Sequence, residues 1–278
     1  MAHPPSKPTI TQFTDPMCTW CWGSEPIIRH VQVTFGDQFR LRYVMGGLIE
    51  DWDDFYDAAN DIATPEDVIP HWEEASQAHG MPMDTTVLEE NPPQSTHPAN
   101  IAFEAARLAD SEYAHRYLRR LREDYATKGV NVCERDMQVA IADEVGIDTE
   151  AFTTHLDDGS AREAFETDRQ RLSEAGVRSF PTYRISGPNG EEILAGFQSF
   201  ENLASVLESV APELDRQSPP PVHRFVQRYG PVGTREVAEV YDFDRGKALQ
   251  VLGTLAEDGV LTAENRGGGT FWTVDGGS

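Results

Sequence analysis

Apolar and polar positions alternate or recur along this chain with periods that predict its elements. Thr9 to Thr14 (TITQFT) is β-prone and stops at the breaker pair Asp15-Pro16, directly before Cys18-Thr19-Trp20-Cys21. After this, Ile27, Ile28, Val31 and Phe35 recur at helical spacing and Gly36-Asp37 closes the segment. Phe39, Leu41, Tyr43 and Met45 then alternate with Arg40, Arg42 and Val44, a strand ending at Gly46-Gly47. From about Trp52 to Gly176 the pattern reads almost wholly helical, with Tyr113, Tyr117, Leu121 and Tyr125 as one stripe and a capping box expected at Ser160 to Glu163. Strand character returns at Thr182 to Ile185 and Glu192 to Ala195, around the turn signal Gly187-Pro188-Asn189-Gly190. Ser199 can cap a helix carrying Leu203, Val206, Leu207 and Val210.

Four prolines within Ala211 to Val222 mark a linker, and a domain boundary is expected near Ser218, between units 1–218 and 219–278. The second unit reads as helices around His223 to Arg228, Thr234 to Tyr241 and Asp244 to Asp258. A hairpin from Leu261 to Val274, tipped by Gly267-Gly268-Gly269, completes it. Three helices and a glycine-tipped hairpin follow one another in the order of a winged helix.

Composition changes this picture in one respect. The 278 residues carry 47 Asp and Glu against 23 Lys and Arg, a formal charge of −24, which excludes a general binder of nucleic-acid backbones or anionic membranes. Only Lys7, Lys128 and Lys247 are lysines. Acidic excess with so little lysine reads as adaptation to concentrated salt, where screening within about 3 Å removes self-repulsion. No apolar run approaches the ~20 residues of a membrane helix, and Met1 to Pro8 lacks the apolar core of a secretory signal, so a cytoplasmic location is expected.

Three cysteines exclude a disulfide scaffold, and the Cys18/Cys21 pair reads as redox chemistry or half a metal site. A redox pair needs an attacking thiolate and a second thiol that resolves the mixed disulfide, and two intervening residues on a first helical turn bring the sulfurs together. Cys18, the nearer to the free helix amides, is then the nucleophile with a lowered pKa, and Cys21 the resolver. A zinc site would need two more ligands, and no second CxxC or His-x3-5-His is present. Cys133 reads as a small buried hydrophobe. Asp15 forms a turn with Pro16 or raises the Cys18 pKa by its charge.

Thr14 to Gly23 (TDPMCTWCWG) resembles the active-site signature of the DsbA-like thioredoxin-fold family, particularly its FrnE-like branch. Pro26, five residues after the second cysteine, and Gly176 to Thr182 (GVRSFPT) strengthen the likeness, the latter being similar to the family's cis-proline loop. The resemblance covers roughly Thr9 to Val210. It implies an α/β thioredoxin fold with a large helical insertion at about 52–176, a cis Phe180-Pro181 bond, and Phe180 and Pro181 as substrate-contact positions. It also implies a thiol-disulfide oxidoreductase or isomerase acting on protein or peptide disulfides with no dissociable cofactor. Thr19 stands where this branch commonly has proline, and Trp20 is not the His of the strongly oxidising members, which points to an intermediate or reducing potential. Phe13 is expected in the core and Trp20 in a substrate groove, and His71, His79, His97, His115 and His155 on the surface.

The tail from Pro219 carries six Lys or Arg against eight Asp or Glu, so nearly all the negative charge belongs to the body. It resembles winged-helix domains of small regulators through Ala248 to Leu252 and Leu255 to Leu261. Arg245 and Lys247 would then start the recognition helix and Arg266 would sit on the wing, as contacts for DNA or, preferably, protein. A redox-sensing regulator or a protease-adaptor or scaffold role is the alternative function.

Overall fold

The computed structural model describes residues 7–274. Most of the opening segment Met1–Pro8, read above for targeting, lies outside the described residues.

The first strand, β1 (Thr9–Thr14), is followed by a pair of helices, α1 (Thr19–Gly23) and α2 (Glu25–Phe35), and by β2 (Arg40–Met45). β2 runs parallel to β1, as a strand returning through a helical crossover must. After the helical insertion, β3 (Thr182–Gly187) and β4 (Gly190–Ala195) form a hairpin whose first strand pairs antiparallel with β1. The sheet order is β2-β1-β3-β4. β1 is central and buried along most of its length, consistent with its β-branched and apolar composition.

Alternation along β1 sorts the two faces. Ile10 joins Ile27, Ile28, Val31 and Phe35 of α2, together with Leu203 and Leu207 of α10 (Phe200–Val210), in one core. Phe13 points the other way, to Val44, Val177 and the ring of Phe180. Ser199 caps α10, its hydroxyl accepting from the Asn202 amide at 3.2 Å.

The insertion is helical only from Ile69 onward. It comprises α3 (Ile69–His79), α4 (Thr86–Glu90), α5 (His97–Ala109), α6 (Ala114–Lys128), α7 (Arg135–Val145), α8 (Thr149–Asp157) and α9 (Ser160–Glu174). The stretch from Trp52 to Val68, expected to be helical, instead holds two single 3-10 turns and a lone Asp57–Ile62 bridge. Its aspartates explain the difference, because Asp51, Asp57 and Asp67 each accept backbone amides two to four residues away and so compete with helical pairing. The expected capping box at Ser160 is also corrected. Gly159, at φ 85°, is the cap residue, and Ser160 lies inside the helix with its hydroxyl on the His155 ring.

Beyond residue 211 the chain builds a smaller unit from α11 (Val222–Tyr229), β5 (Val232–Gly233), α12 (Thr234–Val240), α13 (Arg245–Glu257), β6 (Leu261–Arg266) and β7 (Gly269–Val274). β5 was not legible in the sequence; it is two residues long and pairs with β7 in a sheet ordered β5-β7-β6. This unit has its own core of Phe225, Val237, Leu252 and Trp272, into which Val33 of α2 projects. It is therefore seated on the back of the helix that follows the CxxC. Among the described residues no helix is long and apolar enough to cross a membrane.

Candidate active site

Cys18 is the residue before α1, with extended backbone, and its Sγ accepts the Cys21 amide at 3.2 Å. The turn that delivers it is built by Asp15. One carboxylate oxygen accepts the Met17 amide at 2.8 Å. The other accepts from Leu48 N at 2.8 Å, Thr96 Oγ1 at 3.0 Å and Asn100 Nδ2 at 2.7 Å. Asp15 is thus a turn residue, and also a clamp holding the motif against the loop after β2 and the start of α5. Its charge adds to the Cys18 shift as a lesser cause. After Gly23 the helix breaks at Ser24, and Pro26 sits in the first turn of α2, so the run after Cys18 forms two helices.

Both sulfurs are buried, Cys18 at 6% exposure and Cys21 at 0%. Cys18 is the one nearer solvent. Its expected low pKa is corrected, because burial pushes the thiol well above its usual value and the hydrogen bond to Cys21 and that residue's charge add to the rise. At Cys21 burial acts in the same direction. The hydrogen bond from Cys18, the charge of Arg122 and the Thr14 hydroxyl outweigh it and lower the pKa. Of the two thiols Cys21 is therefore the one that gives up its proton more readily.

The sheet register brings the proline loop beside the motif. Phe13 pairs with Thr182, so the chain leaving β1 passes Pro181, and the Phe180-Pro181 peptide is cis. Pro181 is buried. Phe180 is half-buried, its ring lying so close to Gly46 that a Cβ there would sit 1.9 Å from its Cζ; only glycine fits. Trp20 is 38% exposed and Phe13 is in the core. Trp20 packs on Phe197, with ring centroids 5.6 Å apart, and Phe197 is equally exposed. Phe197 follows Gly196, whose amide bonds the Pro181 carbonyl at 2.8 Å, so it forms a wall of the same apolar rim. Sequence reasoning passed over it, since nothing local distinguishes an exposed Phe in a loop from any other.

Of the histidines expected on the surface, His79 is buried at 3% exposure. Its ring packs edge-on against Trp20, and its Nδ1 accepts the Met81 amide at 3.0 Å. Burial, then the charge of Arg235, lowers its pKa to about 4. Between that value and the unfolded midpoint near 6.5 the unfolded chain binds a proton that the folded chain does not. Stability is therefore expected to fall as pH drops through this window, by up to about 3 kcal/mol from this residue. Denaturation at pH 7 and pH 4.5 checks it, and a His79→Phe variant with the same pH slope as the parent would refute the assignment.

Cys133 is half-buried, its thiol 3.2 Å from the Ser95 carbonyl and 3.5 Å from the Met17 sulfur. Burial pushes its pKa up to about 12, so it stays a neutral thiol. Among the described residues no group of three or more His, Cys, Asp or Glu side chains could hold a metal ion.

The smaller unit meets this site from behind. Trp22, 1% exposed, stacks on Phe271 of β7, with Arg119 4.6 Å above its ring. Glu236 of α12 is fully buried, 2.9 Å from Arg119 and 3.8 Å from Arg29, and it also accepts the Gly233 amide at 2.7 Å. Arg266, expected as a wing contact for a partner, is corrected. It is 11% exposed and pairs with Glu123 of α6 and with Glu264, so its charge is taken up within the chain. Arg245 and Lys247 stand exposed on the first turn of α13. Arg245 and Leu249 line a cleft of about 410 Å³ that reaches Gly80 to Pro82 of the body.

A four-stranded sheet that sets a CxxC helix beside a cis-proline loop, with helices inserted between its halves, is a thioredoxin fold of the DsbA-like kind. The chain belongs to the thioredoxin family, whose sequence profile matches residues 12–206. Among curated relatives it is 30% identical over 267 residues to a protein of Halalkalibacterium halodurans named ClpXP adapter protein SpxH, covering 95% of this chain and 87% of that one. A protein of the same name from Shouchella clausii is 31% identical, covering 98% and 90%. Among solved structures, a putative protein disulfide isomerase from Nitrosomonas europaea aligns at TM-score 0.63 and 20% identity, covering 73% of this chain and 97% of that one. The SpxH relatives match nearly the whole chain and hence the smaller unit, whereas the family profile ends before it.

Proposed function

We propose that the protein is a cytoplasmic thiol-disulfide oxidoreductase or isomerase that acts on protein or peptide disulfides. Cys18 is the attacking thiol and Cys21 the resolver, while Trp20, Phe180 and Pro181, joined by Phe197, receive the substrate chain. The observation that carries this reading is a CxxC whose first sulfur, hydrogen-bonded to the Cys21 amide, is the more accessible of the pair and lies beside an exposed apolar rim. In the exchange Cys18 passes its proton to Cys21 and attacks one substrate sulfur. The substrate's S–S bond breaks, and the expelled thiolate takes that proton from Cys21, which is left as the thiolate. The acidity is read as adaptation to salt, so the test is run in molar potassium chloride. Reduced protein mixed with a disulfide-bonded protein should yield one equivalent of substrate dithiol and one intramolecular Cys18–Cys21 disulfide. A reduced protein that stays reduced in the presence of several such substrates overturns the reading.

The curated relatives favour a second reading. They are named ClpXP adapters, and their alignment runs through the smaller unit. In this reading that unit, with helices and hairpin in winged-helix order, is a protein-contact module, and Arg245 and Leu249, which line the cleft, and the exposed Lys247 are its contact residues. The negative charge of the body argues for protein over DNA as the partner. An adapter should accelerate degradation of a client by a ClpXP-type protease in proportion to its concentration. Unchanged client half-life would count against it.

A further inference from the structure

Beneath the CxxC lies a buried pair of charges to which the exchange described above gives no role. Glu25, in the first turn of α2, is 6% exposed, and Arg122, in the middle of α6, is 1% exposed. One terminal nitrogen of Arg122 donates to Glu25 Oε1 at 2.5 Å, and the other donates to the hydroxyl of Thr14, the last residue of β1. The second oxygen of Glu25 lies 3.6 Å from Arg119, so this carboxylate is shared between two guanidinium groups and fully neutralises neither. Arg122 Nε finds no hydrogen-bond partner among the described residues. A threonine hydroxyl has one proton to give. With its oxygen accepting from Arg122, that proton is free to turn to Cys21, whose pKa the Thr14 hydroxyl lowers.

We propose that Arg122 is a positioning residue for the resolving half of the exchange. By donating to Thr14 it directs that hydroxyl at Cys21, and with its own charge it holds Cys21 as the thiolate that attacks the mixed disulfide. The proposal rests on the thiol-disulfide reading. In the step it serves, the Cys21 thiolate attacks Cys18 Sγ. The bond between Cys18 and the substrate sulfur breaks, the Cys18–Cys21 bond forms, and the departing substrate thiolate takes a proton from solvent. The chain is oxidised by two electrons and the substrate disulfide is reduced to two thiols.

A fixed cation suits this position, because the groups facing Cys21 offer no free base. Cys18 is bonded to the substrate sulfur, Asp15 is occupied by four donors, and Glu25 is held by arginines. Tyr43 and Tyr183 are kept protonated by burial.

The test separates this charge effect from catalysis. In a Cys18→Ser background the remaining hydroxyl can still donate to Cys21, and Cys21 is titrated by its ultraviolet thiolate absorbance. Arg122→Met combined with Glu25→Gln, which avoids stranding a buried carboxylate, should raise the Cys21 midpoint by about one pH unit or more, a tenfold loss of thiolate below both midpoints. Arg122→Lys should restore most of the shift, since it keeps the charge. Thr14→Val, which leaves all charges in place, should move the midpoint part of the way. With both cysteines present, the mixed disulfide of the double variant should live about tenfold longer at neutral pH. An unmoved Cys21 midpoint in the folded double variant overturns the proposal, and where that variant does not fold an unmoved midpoint in Thr14→Val does so. A midpoint that moves as expected in a protein that exchanges with no disulfide leaves the Arg122 assignment standing and overturns the exchange reading instead.

Discussion

Replacing Cys18 with serine is expected to lower the rate of exchange with a protein disulfide by about a thousandfold or more, because loss of a nucleophile removes several powers of ten. The partner variant should behave differently. Cys21→Ala leaves the first attack possible and removes the resolver, so it should accumulate a one-to-one mixed disulfide on a non-reducing gel, released by added thiol. Because burial and the neighbouring Cys21 charge hold the Cys18 thiol well above its usual pKa, the first attack in the parent protein should quicken as pH rises through neutrality. Equal rates for parent and Cys18→Ser would end the oxidoreductase reading. An unresolved adduct in the parent itself would remove Cys21 from its role.

The second large effect is expected at Glu236, more than two hundred residues from the motif. Its carboxylate is fully buried against Arg119, Arg29 and the Gly233 amide, and it joins the smaller unit to α6 and α2. Glu236→Ala takes a carboxylate from Arg29 and from Arg119, which keeps Glu25 and Glu123, and leaves the Gly233 amide without its acceptor; breaking a buried pair from one side costs about 3–5 kcal/mol. Glu236→Gln retains an acceptor for Gly233 and should cost less, about 1–3 kcal/mol. Chemical denaturation measures both. A loss below 1 kcal/mol for the alanine variant would show that the apolar contacts of Val33 and of Trp22 on Phe271 hold the unit without the ionic network.

Concentrated salt bears on where such a network can persist. An exposed ion pair in molar salt is screened within a few ångströms. Glu236 and Arg119, at 0% and 11% side-chain exposure, lie largely out of reach of that screening. Exposed pairs such as Arg135 with Asp157 should contribute little in comparison.

Much of the fold was legible because it is written in local patterns. The alternation from Phe39 to Met45, the turn at Gly187 to Gly190 and the Ser199 cap each depend on residues close in sequence, and the corresponding strands and helix are present. Where reading failed, a non-local or competing local contact prevailed. The helix expected after Trp52 lost to aspartates that bind neighbouring amides, and the cap expected at Ser160 lost to the Asp158-Gly159 turn. His79 carries no sign of burial in its own segment, because what covers it are Trp20 and Gly23, over fifty residues away.

The same division holds at the site. Spacing alone determined that two thiols would meet on one helical turn after a strand, since a CxxC needs no distant residue to close it. Which thiol ionises more readily was decided by tertiary structure. Arg122 comes to the site from about a hundred residues downstream, and together with Thr14 and the depth of burial it reverses the order expected from the helix end. Likewise, charge arithmetic separated an acidic body from a nearly neutral tail, but Arg266 looked free until folding set it against Glu123. Electrostatic fate depends on distance and dielectric, and both are properties of the packed chain.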